Sequence, residues 1–288
     1  MISEPGLSVA PAPRLFATGS TAGRDQVKLP AAAIRPALTD AMRIAILTDL
    51  HANREAVSAC LAHAQRKLAD RYVFLGDYVG YGADPGWVID TVIDHVQRGA
   101  VAVLGNHDSA LTSGARASMN NEARISIEWA SAQISTAQLE FLAALPLQVH
   151  EDDRLYVHAN AWQPGEWEYV HSQYFAARSM RATHCRYTFC GHIHEPMLYH
   201  MAEGFRVSGF LPVAGTPIPV GRQRRWLAIP GAVGQPRDGN PAACYAMFDD
   251  ELAELTFHRV PYDVETAARK VIEAGLPPRL GERLAMGF

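Results

Sequence analysis

Residues 103–110 read VLGNHDSA, and the way this stretch is put together points to the architecture of the whole chain. Residues 100–104, AVAVL, have the apolar, partly β-branched character of a strand built for burial. Asn106, His107 and Asp108 follow at once. Burying an amide, an imidazole and a carboxylate without partners costs several kcal/mol, because each gives up its hydration. A strand that ends in three such groups is expected to bring them to something that offsets that loss.

The same texture appears twice upstream. MRIAILTD (42–49) and RYVFLGD (71–77) read as strands, each followed by a helical pattern, over 53–68 and 85–98. Asn53 suits the N-cap of the first helix and Pro85 the first turn of the second. Strand and helix alternating in this way predict βαβ units around buried strands.

Further along, residues 120–145 carry helical spacing broken near Ser135 and Thr136, so two helices are expected. LQVHEDDRLYVHA (147–159) reads as two strands joined by an acidic turn, followed by a helix over 171–182 and the strand YTFCG (187–191). PMLYHMAEGFRVSGF (196–210), RRWLAIPGA (224–232) and CYAMFDDELAELTFHRV (244–260) read as further strands and hairpins, and a last helix is expected over 264–274. Strand number and mixed connections predict a layered α/β protein with two packed sheets. No internal repeat is visible.

The chain of 288 residues is 48% hydrophobic and 19% charged, ordinary for a folded globular protein. Its formal charge of -4 gives no general reason to expect nucleic-acid or membrane binding. Cys60, Cys185, Cys190 and Cys244 form no C-x-x-C pair and no regular framework, which fits a reducing compartment. No run approaches the ~18 apolar residues of a membrane span, so a cytoplasmic location is expected. Residues 1–41 are rich in Ala, Pro, Gly, Ser and Thr without a sustained period and are expected to form a disordered extension ahead of a folded domain over 42–288. Glu4, Asp25 and five prolines argue against a transit peptide there.

Five short clusters fall at expected strand ends: TDLHAN with Asp49 and His51, GDYVG with Asp77, GNHD with Asn106 to Asp108, VHA with His158, and GHIH with His192 and His194. In open α/β sheets, ligands bind beyond the carboxyl ends of the strands. Carboxylates, imidazoles and an amide oxygen, with no thiolate, suit borderline divalent ions such as Mn, Fe, Co, Ni or Zn. In extended backbone, His192 and His194 alternate and so point the same way, as do Asp49 and His51 around Leu50. Each cluster alone has an ordinary reading as a turn or a satisfied core histidine. Five of them in series do not.

This ordered set, D-x-H, G-D, G-N-H-D, H and G-H-x-H, resembles the calcineurin-like metallophosphoesterases, most closely the compact bacterial and archaeal branch. The resemblance spans about 42–249, and GAVGQPRDGNP (231–241) resembles a late segment of that branch. It implies a four-layer α/β/β/α sandwich with two mixed β-sheets and two divalent metal ions, with Mn favoured. By motif, Asp49, His51 and His194 would hold one ion, Asn106, His158 and His192 the second, and Asp77 would bridge them. The implied activity is hydrolysis of a small phosphate ester by a water activated between the ions. His107 would stabilise the transition state or protonate the leaving oxygen, with Asp108 orienting its ring. A non-catalytic scaffold of the same fold is the alternative of another class, and the complete ligand set speaks against it.

Phosphoprotein phosphatases of the superfamily carry Asp-Arg-Gly after the second motif, where this chain has Gly80, Tyr81 and Gly82. The missing arginine favours a phosphodiester or small organic phosphate, with a phosphomonoesterase acting on nucleotides or sugar phosphates as runner-up. Tyr81, Trp162, Trp167 and Arg237 are candidate substrate contacts, and Tyr169 joins the two tryptophans in an aromatic stretch able to stack a base. Arg222, Arg224 and Arg225 read as a solvated hairpin. His63, His95, His150, His171, His184, His200 and His258 fall outside the motifs and are taken as structural or exposed.

Overall fold

The computed structural model describes residues 42–117, 119–202 and 206–288. The extension expected over 1–41 lies outside them. In chain order the strands are β1 (Arg43–Leu47), β2 (Arg71–Phe74), β3 (Val101–Ala102), β4 (Gln148–Glu151), β5 (Arg154–Val157), β6 (Tyr187–Phe189), β7 (Met197–Met201), β8 (Val207–Phe210), β9 (Ile218–Pro219), β10 (Arg225–Ile229), β11 (Ala243–Asp249) and β12 (Glu254–Val260). The helices are α1 (Arg54–Arg66), α2 (Pro85–Gln97), α3 (Asn106–Ser113), α4 (Asn121–Ser131), α5 (Thr136–Ala143), α6 (Gln173–Arg181), α7 (Val264–Glu273) and α8 (Pro278–Met286).

Strand β1 shows why the layers form. Its side chains alternate between two apolar clusters: Ile44 and Ile46 meet Val73, Phe189 and Phe248, whereas Ala45 and Leu47 meet Val57, Phe74 and Val88. A strand buried on both faces must read as a nearly unbroken apolar run, and RIAIL does. The first cluster is the seam between two six-stranded mixed sheets, ordered β3-β2-β1-β11-β12-β9 and β4-β5-β6-β10-β7-β8. The second lies under α1 and α2 on the outer face of the first sheet. A third, with Ala176, Met180, Tyr199 and Leu227, lies under α6 on the outer face of the second. Helix, sheet, sheet, helix is the four-layer α/β/β/α order that the resemblance implied.

Within these sheets β1, β2 and β3 run parallel, as do β5, β6 and β10. Their carboxyl ends therefore gather at one edge of the sandwich. Asn53 caps α1 by accepting from the Ala56 amide at 3.1 Å, and Ser135 and Gln138 form a reciprocal capping box that starts α5 after the break in the 120–145 segment.

Three elements differ from the sequence expectation. Residues 103–110 do not run from strand into loop; α3 starts at Asn106, so the polar triplet forms the first turn of a helix. Asp108 makes that turn possible by accepting from the Gly105 amide at 2.9 Å. Helix α8 was unforeseen because Gly281 interrupts a short run, yet Pro278 at its start supplies the right φ. The third, β9, contributes two residues at the edge of the first sheet, too few to leave a period.

Candidate metal centre

The loops after β1, β2, β5, β6 and β10, with the first turn of α3, converge at that shared edge. Thr48 to His51, Asp77, Asn106, His158, His192 and His194 all come from them. The backbone is bent hard there: Asp49, His51, Asp77, His192 and His194 have φ of 53°, 45°, 56°, 73° and 65°. Non-glycine residues in the left-handed region store strain, and such strain gathers at functional sites. It also corrects the expectation that His192 and His194 project together from extended backbone. Strand β6 ends at Phe189, the two residues are left-handed, and their rings enter different groups.

In the first group are Asp49, His51, Asp77 and His194; in the second, Asp77, His158 and His192, so Asp77 is common to both. His51 Nε2 and His194 Nε2 stand 3.1 Å apart. Asp49 Oδ1 is 3.3 Å from His194 Nε2, and Asp77 Oδ2 is 3.6 Å from His51 Nε2. In the second group His158 Nε2 lies 3.0 Å from Asn106 Oδ1, 3.2 Å from His192 Nδ1 and 3.4 Å from Asp77 Oδ2. All of these side chains are buried except that of Asn106, which is partly buried.

Each ring's other nitrogen is committed to a carbonyl. His51 Nδ1 donates to Val79 O at 3.1 Å, His194 Nδ1 to Gln235 O at 2.6 Å, His158 Nδ1 to Leu75 O at 2.7 Å and His192 Nε2 to Trp167 O at 2.9 Å. Carbonyls accept only, so a proton lies on each of these outer nitrogens, and in the neutral rings the inward nitrogens present lone pairs. Burial holds His51 and His194 well below the usual imidazole pKa and brings His192 to about 3, which keeps them neutral. Burial also works against a proton on His158, but the Asp77 carboxylate more than offsets it and raises the pKa to about 9. Asp77 is pushed up by burial and held well below the carboxylate range by His158, His107 and His51. Burial brings Asp49 up to about 7, with His158 opposing and Asp77 adding. Lone pairs and carboxylate oxygens facing one another out of water form a donor set that a divalent cation satisfies.

His107 sits at the edge of this set, its Nε2 3.9 Å from Asp77 Oδ2 and its ring edge-on to His51. Its Nδ1 is buried without a partner, and Gly80 packs against that atom: a Cβ at Gly80 would overlap it. Asp108 does not orient the His107 ring as expected. Its carboxylate accepts from the amides of Gly105, Asp77 and Tyr78 at 2.8 to 2.9 Å, which binds the start of α3 to the Asp77 loop. The physical reason is direction: Asp108 points back along its helix to the Gly105 amide and to the loop of Asp77 and Tyr78, away from the His107 ring.

A cleft of about 500 Å³ opens beside the cluster, lined by Tyr81, Asn106, His107, Trp167, Tyr169 and His192 among others. Tyr81 lies 4.6 Å from both His51 and His107, ring to ring. Arg237 reaches it from the loop after β10, its Nη2 3.4 Å from the Tyr81 hydroxyl and its guanidinium over the ring. Tyr169 stacks on His192 at 4.1 Å and 10°. Trp162 is elsewhere: it stacks on Phe175 under the Arg178 guanidinium and does not line the cleft. Arg225 donates to Met180 O and Thr183 O, a structural role, and Arg222 and Arg224 are exposed.

Comparisons with known proteins bear on the family and the fold. Residues 42–251 match the model of the calcineurin-like phosphoesterase superfamily domain. An uncharacterized protein of Methanocaldococcus jannaschii is 32% identical over 249 residues, 85% of this chain and 98% of that one. A metallophosphoesterase from Sphaerobacter thermophilus of known crystal structure is 37% identical with a TM-score of 0.77, covering 86% of this chain and all of that one. A hypothetical protein from Pyrococcus horikoshii, 16% identical, shares the fold with a TM-score of 0.69 over 85% of this chain and 98% of its own. A family domain matched over most of the chain, and a relative similar along nearly its whole length, show that the chain belongs to the calcineurin-like phosphoesterase superfamily.

Proposed function

We infer that the protein hydrolyses a phosphodiester or small organic phosphate ester at a dinuclear centre, one ion held by Asp49, His51 and His194, the other by Asn106, His158 and His192, with Asp77 shared. The observation that carries this reading is the pair of donor groups meeting at Asp77. A carboxylate has two oxygens and one charge, so it can serve two cations and offset their repulsion. Bound there, two divalent ions, Mn favoured, supply Lewis acidity at the phosphoryl oxygens and lower the pKa of an attacking water toward about 7.

The chain's own groups do the rest. The carbonyls of Val79, Leu75, Trp167 and Gln235 hold the imidazoles in the tautomer that ligates. His107, which lines the cleft, donates a hydrogen bond to the departing oxygen. Arg237, beside Tyr81, meets a non-bridging phosphate oxygen. One guanidinium suits the single charge of a diester better than the double charge of a monoester, which supports diester preference. The proposal includes a cytoplasmic location: the four cysteines are free and buried, and among the described residues no helix is long and apolar enough to cross a membrane.

The test is turnover of bis-p-nitrophenyl phosphate against p-nitrophenyl phosphate by chelated protein reloaded with Mn, with Asp77→Asn run in parallel. Diester preference lost in the variant is expected. Monoester preference would replace the substrate reading, and no turnover of either by metal-loaded protein would sink the enzyme reading.

A further inference from the structure

The cleft beside the candidate metal centre is larger than a phosphate needs, and its walls differ in chemistry. On the side of α3 and α4, Ala110, Met119 and Ala123 line it. On the other, the segment after the β5 loop contributes Trp167 and Tyr169. Its volume of about 500 Å³ lies within the usual range for sites that enclose an organic ligand.

The two aromatic side chains are held as if to present flat surfaces. Tyr169 lies parallel to His192 at 4.1 Å, so one ring face is fixed on the cluster, yet the residue is 46% exposed and lines the cleft. Trp167 adopts φ of 60°, a strained left-handed conformation for a bulky residue, and its carbonyl accepts from His192 Nε2. That hydrogen bond fixes the backbone from which the half-buried indole lines the cleft. At the rim, Arg116 pairs with Glu166 and donates to Gly165 O, tying the loop after α3 to the aromatic segment. The cleft is thus aromatic on one side and mixed on the other, where Ser109, Ser113 and Asn120 stand among the apolar groups.

We propose that Trp167 and Tyr169 form a stacking subsite for a planar aromatic ring in the organic part of the phosphoester. The inference rests on the phosphoester reading, because the metal centre would position the phosphate that the ring accompanies. A nucleobase and a simple aryl group share the recognised chemistry, and both have the π-face that such a platform needs.

The experiment is calorimetric titration of the full-length, Mn-loaded protein with phenylphosphonate and methylphosphonate, which keep the anion constant and change only the ring. Adenosine 5′-phosphorothioate serves as the nucleobase probe. A ring stacked on one aromatic side chain should bind roughly 5- to 150-fold tighter than its methyl counterpart. Tyr169→Ala and Trp167→Leu should each pull the phenyl-to-methyl ratio toward unity. Trp167→Leu keeps the carbonyl that accepts the hydrogen bond from His192 Nε2, so it decides the matter if Tyr169→Ala disturbs folding or metal content. Adenosine binding tighter than phenyl, by a margin lost in the same variants, would identify the ring as a nucleobase. Equal affinity for the two phosphonates, binding of neither, or a ratio unchanged in both variants would overturn the subsite. Ring-selective binding in a protein without turnover would leave the subsite standing and remove the hydrolytic reading, so the two failures are distinct.

Discussion

His51 and His194 face each other Nε2 to Nε2 at 3.1 Å, and each donates a hydrogen bond from Nδ1–H to a carbonyl, Val79 for one and Gln235 for the other. Two lone pairs at that separation repel, and they are 143 residues apart in sequence, so the fold itself forces them together. A cation between them would turn that repulsion into ligation.

Metal should therefore stabilise the fold strongly. Each site saturated at about a hundred times its Kd adds about 2.7 kcal/mol to unfolding, since the unfolded chain has no such cluster. The expected result is a melting temperature raised by several degrees in Mn and lowered again by chelator, with Asp77→Asn showing a much smaller response. Identical melting with and without metal in the native protein would argue against both sites.

Asp108 should behave as a structural residue whose loss reaches the centre through Asp77. Its carboxylate satisfies four buried amides, including that of Asp77 itself. Leaving such donors unpaired costs about 1–3 kcal/mol each. Asp108→Ala is expected to lose more than about 3 kcal/mol in urea unfolding. A loss under about 1 kcal/mol would mean that these amides find other partners.

Gly80 separates the role of His107 from those of the ligands. With φ of 85° and a virtual Cβ overlapping His107 Nδ1, Gly80→Ala must displace that ring. Turnover should fall at least tenfold while two equivalents of metal still bind, measured by elemental analysis of the dialysed protein. Unchanged turnover would show that His107 contributes nothing to the reaction.

Away from the centre, His258 sets part of the acid response of stability. It lies 4.9 Å from His63 and 5.2 Å from Tyr245, ring to ring, and burial, reinforced by His63, lowers its pKa from 6.5 to about 4. Below pH 6.5 the unfolded chain takes up a proton that the folded state resists. The contribution is thus complete above about pH 6.5 and is lost as pH falls toward 4. His258→Gln should show a smaller drop in urea midpoint between pH 7.5 and 5 than the native protein, with metal held saturating. Parallel curves for the two proteins would refute the assignment.

Much of the fold was legible because burial on both faces leaves unbroken apolar runs. RIAIL and the strand before Gly76 carry that mark, and α5 announces itself through Ser135 and Gln138. Helix α3 escaped notice since its first turn consists of the residues singled out as chemical, and with it went the cleft lining of Ser109, Ser113, Arg116 and Asn120. The carbonyls of Val79, Leu75, Trp167 and Gln235 had no sequence signal at all, because every residue carries one.

By itself the sequence determined every strand but β9, the mixed layering and the fact that acceptor-rich motifs end the strands, since these follow from local apolar period and residue chemistry. The resemblance of the motifs already implied which donors share an ion; tertiary structure alone decided how the backbone turns His192 and His194 apart, that Asp108 holds amides and not His107, and that Arg237 arrives over Tyr81. The reason is physical: side-chain direction follows φ, and at these strand ends φ is set by close packing of loops from two sheets. The alternation rule holds only where the backbone stays extended.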